Sequence, residues 1–173
     1  MVMVSQMVRA AVQVSDLDNS TDFYRDVLGL EEEFLYGAMP QGGNTHELIG
    51  MPATITGRVR ILKVPGKPAY GMVGLFEMKN PEPPRMQKSE GANIGEVCMV
   101  FYCEDLDEVA RKVKARGLTI VGGPIPYRIR GRVKQREMTI RGPDGEKINL
   151  IEWNVAKADA GDRPEKWQGN PES

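Results

Sequence analysis

In "PYRIRGRVKQR", Arg128, Arg130, Arg132, Lys134 and Arg136 recur at every second position. An extended chain alternates its side chains, so these cations would share one side. Arg58 and Arg60 repeat the spacing earlier in the chain. Such a stripe can hold a carboxylate, a phosphate or a coenzyme A tail. It equally suits a solvated edge strand that charge keeps from aggregating. Nucleic acid is a weaker match, because no stacking aromatics are interleaved with the basic residues. Cys98 and Cys103 lie an odd number of positions apart in one apparent strand. They should point to opposite faces, which argues against an intra-strand disulfide. His46 is the only histidine and sits in a turn-rich stretch, where a lone imidazole is most simply solvated.

Positioning these groups takes strands, and the sequence writes the same arrangement twice. Residues 7–14 read as a strand, Asp18 or Asn19 as a helix cap, and Phe23, Tyr24, Val27 and Leu28 as one apolar stripe ended by Gly29. Strands follow at 31–36, 57–64 and 72–78, with a short helix expected over 45–49. The stretch "KNPEPPRMQKSEGAN" has the proline and charge content of a linker. The second half then repeats the plan. A strand spans 94–103, Asp105 starts a helix with Leu106, Val109, Ala110 and Val113 on one face, and Gly117 ends it. Strands follow around 118–121, 133–141 and 147–153. At 173 residues with a net charge of -1, the chain is an ordinary globule with no global pull toward nucleic acid or anionic membrane. The opening "MVMVSQMVRA" is too short and too soon interrupted by Arg9 to serve as a signal peptide, so the expected location is cytoplasmic. The tail 157–173 has little to bury and is expected to be mobile.

The stretches "VSDLDNSTDFYRDVLGL", "CEDLDEVARKVKARGL" and "GPDGEKINLIEW", with "ELIGMPATITGRVRILKVPG" between them, resemble the vicinal oxygen chelate superfamily. That family contains glyoxalase I, methylmalonyl-CoA epimerase, extradiol dioxygenases and bleomycin-resistance proteins. The resemblance implies an α+β fold: two βαβββ modules, about 7–80 and 94–153, forming an open cup-shaped mixed sheet with helices outside, in one domain over 1–156. Metal-dependent members carry His, Gln or Glu at four cup-facing strand positions. Those positions correspond here to Arg9, Gly74, Cys98 and Asn149. A guanidinium, a missing side chain and an amide are not such ligands, and one thiol does not make a site. Glu77 and Glu152 lie three residues past the carboxylate positions, and an odd offset turns them to the other face. The expectation is therefore no metal and no cofactor.

With period two, the cup face implied by the resemblance takes Arg9, Ala11 and Gln13 from the first strand and Met72, Gly74 and Phe76 from the fourth. Glu96, Cys98, Val100 and Tyr102 come from the fifth, and Lys147, Asn149 and Ile151 from the eighth. Arg9 and Glu96 could pair across the lost metal site, as a functional pair or as mere charge neutralisation. Cys98 beside Arg9 could be a nucleophile, although packing as a small hydrophobe is the simpler reading. Two functions lead, with a third behind them. One is a metal-independent lyase or isomerase acting on a small organic acid or aromatic compound, with Arg9 holding an oxyanion and Glu96, or Tyr102, moving a proton. The other is a sequestering protein of the bleomycin-resistance kind. A metal-dependent dioxygenase or glyoxalase is the third. In each, Gln13, Phe76, Cys98, Asn149, Arg128 and Arg130 would contact an anionic small-molecule ligand, and the expected assembly is a homodimer.

Overall fold

Each Asp-Leu-Asp stretch starts a helix, and its first aspartate is the cap. In the computed structural model, which describes residues 4–42, 44–87, 91–129 and 132–152, Asp16 Oδ1 accepts from the backbone N–H of Asp18 at 3.0 Å and of Asn19 at 2.9 Å. Asp105 Oδ1 accepts from Glu108 N–H at 2.9 Å. These bonds satisfy donors that a helix start leaves unpaired. The cap of the first helix is thus Asp16, earlier in the chain than the expected Asp18 or Asn19. Both helices end alike: Gly29 and Gly117 take φ of 75° and 67°, a left-handed stop open to glycine. The leucine between the aspartates, Leu17 or Leu106, is fully buried.

The chain divides into two compact units, Met1–Lys88 and Ser89–Ser173. The first contains β1 (Arg9–Val14), α1 (Leu17–Asp26), β2 (Glu32–Met39), the short α2 (Thr45–Ile49), β3 (Thr56–Lys63) and β4 (Met72–Lys79). Its sheet has the order β1-β4-β3-β2, with β1 parallel to β4 and the other pairs antiparallel. The second contains β5 (Cys98–Cys103), α3 (Leu106–Ala115), β6 (Ile120–Ile129), β7 (Arg132–Arg141) and β8 (Lys147–Glu152). Its sheet order, β5-β8-β7-β6, and its strand directions are the same. Each unit is an open mixed four-stranded sheet built as βαβββ, and the class is α+β.

Each helix packs on its own sheet, α1 against β3 and β4, and α3 against β6, β7 and β8. The buried residues of α3 are the expected Leu106, Val109, Ala110 and Val113. Those of α1 include Phe23 and Tyr24, with rings edge to face at 5.1 Å. One ion triad recurs in both units. Arg58 on β3 bonds Asp18 of α1 at 3.0 Å and Glu77 of β4 at 2.8 Å. Arg136 on β7 bonds Asp107 of α3 at 2.9 Å and Glu152 of β8 at 3.2 Å. The second aspartate of each Asp-Leu-Asp is therefore the group that ties a helix start to a strand arginine.

Two sequence expectations change. The fifth strand starts at Cys98 rather than at 94, because Gly95 takes φ 86° and a turn is closed from Glu96 N–H to Asn93 O at 3.1 Å. The basic stripe is not one strand. β6 ends at Ile129 and β7 begins at Arg132, with Arg128 opposite Val133 across an antiparallel pair. Arg128 therefore stands on β6, and Arg132, Lys134 and Arg136 on the neighbouring β7. Arg130, the side chain of Arg128 and the tail 157–173 lie outside the described residues.

Candidate functional site

The triads fix which side of each sheet the helix covers, and alternation then fixes the other side. In the first unit, Arg58 and Glu77 reach α1, so Met72, Gly74 and Phe76 face away from it, with Arg9, Ala11 and Gln13 beside them in register. That face is largely filled. Val59, Ile61 and Met72 form a buried cluster, with Met39, Ala69 and Phe76 packed against it. Arg9 lies across Gly74: a Cβ at Gly74 would come within 3.3 Å of Arg9 Cδ and 3.0 Å of the Phe76 ring. Gln13 is exposed opposite Phe76. Arg58 and Arg60 are not on this face. Arg60 stacks on Tyr36 at 4.6 Å and pairs with Glu33 at 3.1 Å, which makes both arginines parts of the helix side.

In the second unit, the face away from α3 presents Cys98, Val100 and Tyr102 of β5 beside Lys147, Asn149 and Ile151 of β8. Arg141, Thr139 and Glu137 of β7 stand opposite those β8 residues in turn. This face is open. A groove of about 410 Å³ is lined by Val121, Gly122, Ile125, Thr139, Lys147 and Asn149, together with Glu137 and the 91–92 backbone. Val121 and Ile125 are 46% and 55% exposed and form the apolar wall of the groove. On the groove floor, Asn149 Nδ2 donates to Thr139 Oγ1 at 3.2 Å and to Glu137 Oε2 at 3.4 Å.

One end of this face is a cluster of charge. The Glu96 carboxylate takes Lys147 Nζ on one oxygen at 2.6 Å and Arg141 Nη1 on the other. The Glu96 side chain is only 6% exposed. Lys147 and Arg141 also donate to Gly91 O, at 3.2 and 3.4 Å, which straps the 91–97 segment across the strand ends. Hydrogen bonds from Lys147 and Arg141 hold the Glu96 carboxyl down at about 2. Burial pushes the Cys98 thiol up, partly offset by Lys147, and burial with the Glu152 charge raises Cys103 to about 11.

Of the expected site residues, Arg9, Gln13 and Phe76 share the first unit's face, and Cys98, Tyr102 and Asn149 share the second unit's. Glu96 precedes β5, and its counter-ions are Lys147 and Arg141 rather than the expected Arg9. Arg141 was not singled out, yet the "GPDG" turn predicts it: a tight hairpin there sets Arg141 opposite Lys147. Thr139 follows from the same register. The donor set at Arg9, Gly74, Cys98 and Asn149 does not fit a divalent ion. Arg9 occupies the space at Gly74, and Cys98 and Asn149 offer a protonated thiol and an amide already bonded to its own strand neighbours. Among the described residues no group of three His, Cys, Asp or Glu converges.

A family model described as Glyoxalase/Bleomycin resistance protein/Dioxygenase superfamily matches residues 6–150. No curated protein matches the sequence. Among solved structures, a glyoxalase family protein from Bacillus cereus has a TM-score of 0.68 at 20% identity, over 86% of this chain and 93% of its own. A mutant of a genomically encoded fosfomycin resistance protein from Listeria monocytogenes, complexed with Mn(II) and 1S,2S-dihydroxypropylphosphonic acid, has a TM-score of 0.53 at 17% identity, over 90% and 98%. An antibiotic binding protein from a Streptomyces species has a TM-score of 0.50 at 18% identity, over 87% and 98%. At these identities the likeness is one of fold.

Proposed function

The chain belongs to the Glyoxalase/Bleomycin resistance protein/Dioxygenase superfamily, and on that premise we propose that it binds and sequesters a small organic molecule on the open face of its second sheet. The observation that carries this reading is the groove: about 410 Å³, apolar along Val121 and Ile125, polar along its floor and cationic at one end. That make-up suits a small-molecule site. Binding is favoured over lyase or isomerase chemistry by the state of the acid-base groups. A general base works best with a pKa near the working pH. Glu96 is held at about 2 with both oxygens engaged. Burial pushes the Cys98 thiol up, toward the protonated form, and its own unit contains no histidine. The antibiotic binding protein among the solved structures supports the same reading by fold alone.

The test uses Gly122, which lines the groove and has nothing within 4 Å of where a Cβ would stand. Gly122→Leu should fill the groove without disturbing the sheet. Titration with the fluorescent amphiphile 8-anilinonaphthalene-1-sulfonate should give saturable binding to the native chain, lost in the variant while its thermal melt is unchanged. Equal binding by both would refute the site. We also propose a homodimer, supported by the edge strand β2, whose Phe34, Leu35 and Tyr36 are all at least 43% exposed. Light scattering that shows a monomer at high micromolar concentration would remove that claim.

A further inference from the structure

The groove's charge is set by three side chains whose hydrogen bonds can be followed one by one. Lys147 carries three N–H donors. Two are taken, by Glu96 Oε2 at 2.6 Å and Gly91 O at 3.2 Å. Lys147 lines the groove, and no hydrogen bond to a described residue takes the third donor, so it is the one a ligand there would meet. Arg141 gives three of its five N–H donors to Glu96, Gly91 O and Gly145 O. Two cations against one carboxylate leave a single net positive charge at this end. Next along the floor, Thr139 Oγ1 accepts from Asn149, which leaves its own O–H as a donor into the groove. Four residues from Arg141 along β7, about 13 Å away at strand spacing, Glu137 places a carboxylate at the other end.

We infer that the groove selects an organic monoanion: its acid group meets Lys147, its apolar body lies on Val121 and Ile125, and Glu96 limits the accepted charge to one. This rests on the binding reading above and names the ligand class for that site. A neutral ligand could offer Lys147 a carbonyl oxygen but would leave the positive charge at this end uncompensated. A dianion would bring its second charge toward Glu137 and meet, among the described residues, the one net positive charge at Lys147 and Arg141. Glu96 is here a specificity residue that never touches the ligand, because it removes one of the two positive charges that a dianion would need.

The experiment is calorimetric titration of the full chain with phenylacetate, its neutral amide phenylacetamide, and the dianion 4-carboxyphenylacetate. Phenylacetate should bind at least about tenfold more tightly than the amide, which corresponds to about 1.4 kcal/mol, and the dianion should bind more weakly than phenylacetate. Lys147→Met should abolish the preference for acid over amide. Lys147→Arg, which keeps a cation, should retain it and so separates lost recognition from lost folding. Glu96→Gln should tighten both acids and bring the dianion level with phenylacetate. Equal binding of acid and amide, displaced from the groove by Gly122→Leu, would overturn this proposal and leave the binding reading standing. An unchanged acid preference in Lys147→Met, or no gain for the dianion in Glu96→Gln, would also overturn it. No binding by any of the probes would overturn both.

Discussion

Breaking the ion triad of the first unit separates a charge that holds the fold from one that merely sits near it. Arg58 contacts two carboxylates, but in different surroundings. The Glu77 side chain is 10% exposed and the Asp18 side chain 62%. Two unit charges 4 Å apart attract by about 4 kcal/mol at an effective dielectric of 20 and about 1 kcal/mol in water. Arg58 itself is 37% exposed, so the Glu77 bond should fall well below the upper figure, at about 1.5–2 kcal/mol. The Asp18 bond should be worth about 0.5 kcal/mol or less. Arg58→Met alone should cost more than either, about 2–3 kcal/mol, since among the described residues it leaves buried Glu77 with Lys79, 3.9 Å away, as its remaining cation. The assay is urea unfolding of two double-mutant cycles, Arg58→Met with Glu77→Gln and Arg58→Met with Asp18→Asn. Repeating both in 1 M salt should erase the Asp18 coupling and spare most of the Glu77 coupling, because screening acts on exposed pairs. Equal couplings in the two cycles, or a Glu77 coupling below about 0.5 kcal/mol, would refute the argument.

Acid should weaken the fold through Glu96. Its folded value of about 2 lies below the ordinary 4.5, so its contribution is fully present above about 4.5 and is lost as pH falls toward 2. Urea midpoints measured at pH 5 and pH 3 should therefore differ less in Glu96→Gln than in the native chain, and an equal difference would count against the ion cluster. Both thiols should react slowly with Ellman's reagent at pH 8, Cys103 the slower, and unfolding should speed them; Cys98 reacting as fast in the folded chain as in the unfolded one would restore it as a nucleophile. Equilibrium dialysis against Mn(II) should show no stoichiometric uptake, and uptake lost on changing Cys98 or Asn149 would show that the donor set had been misjudged.

The repeated βαβββ order was legible because local rules wrote it: aspartate caps, apolar stripes of four on each helix, and glycine stops at Gly29 and Gly117. Strand faces were legible from period two, which alone turns Glu77 and Glu152 away from the groove side. Partner choice was not. Pairing Glu96 with Arg9 came from setting both at the lost metal site of the implied cup, with Lys147 on the same face but not taken as a partner. Lys147 and Arg141 lie about fifty and forty-five positions further on, and the β5–β8 and β7–β8 registers together bring them to Glu96. The hairpin inside the basic stripe was hidden for a related reason. Alternating charge looks the same whether the chain runs straight or doubles back, and β6 is irregularly paired near Tyr127 and Arg128. Which face would be filled was also illegible, since the cluster around Val59, Ile61 and Met72 depends on volumes meeting across neighbouring strands.

The alternation along β7 has a consequence for how such a chain can change. Arg136, Met138 and Ile140 serve the helix side, while Glu137, Thr139 and Arg141 serve the groove. Two independent texts are thus interleaved letter by letter in one strand. Substitution can rewrite the second without touching the first, so a library randomised at Glu137, Thr139 and Asn149 should keep folding while its ligand preference drifts. A deletion of a single residue between them does the opposite. It would exchange the two texts, sending Arg136 into the groove and burying a carboxylate under α3. Point substitution is the route by which this sheet can acquire new ligands, and insertion or deletion within the strand is closed to it.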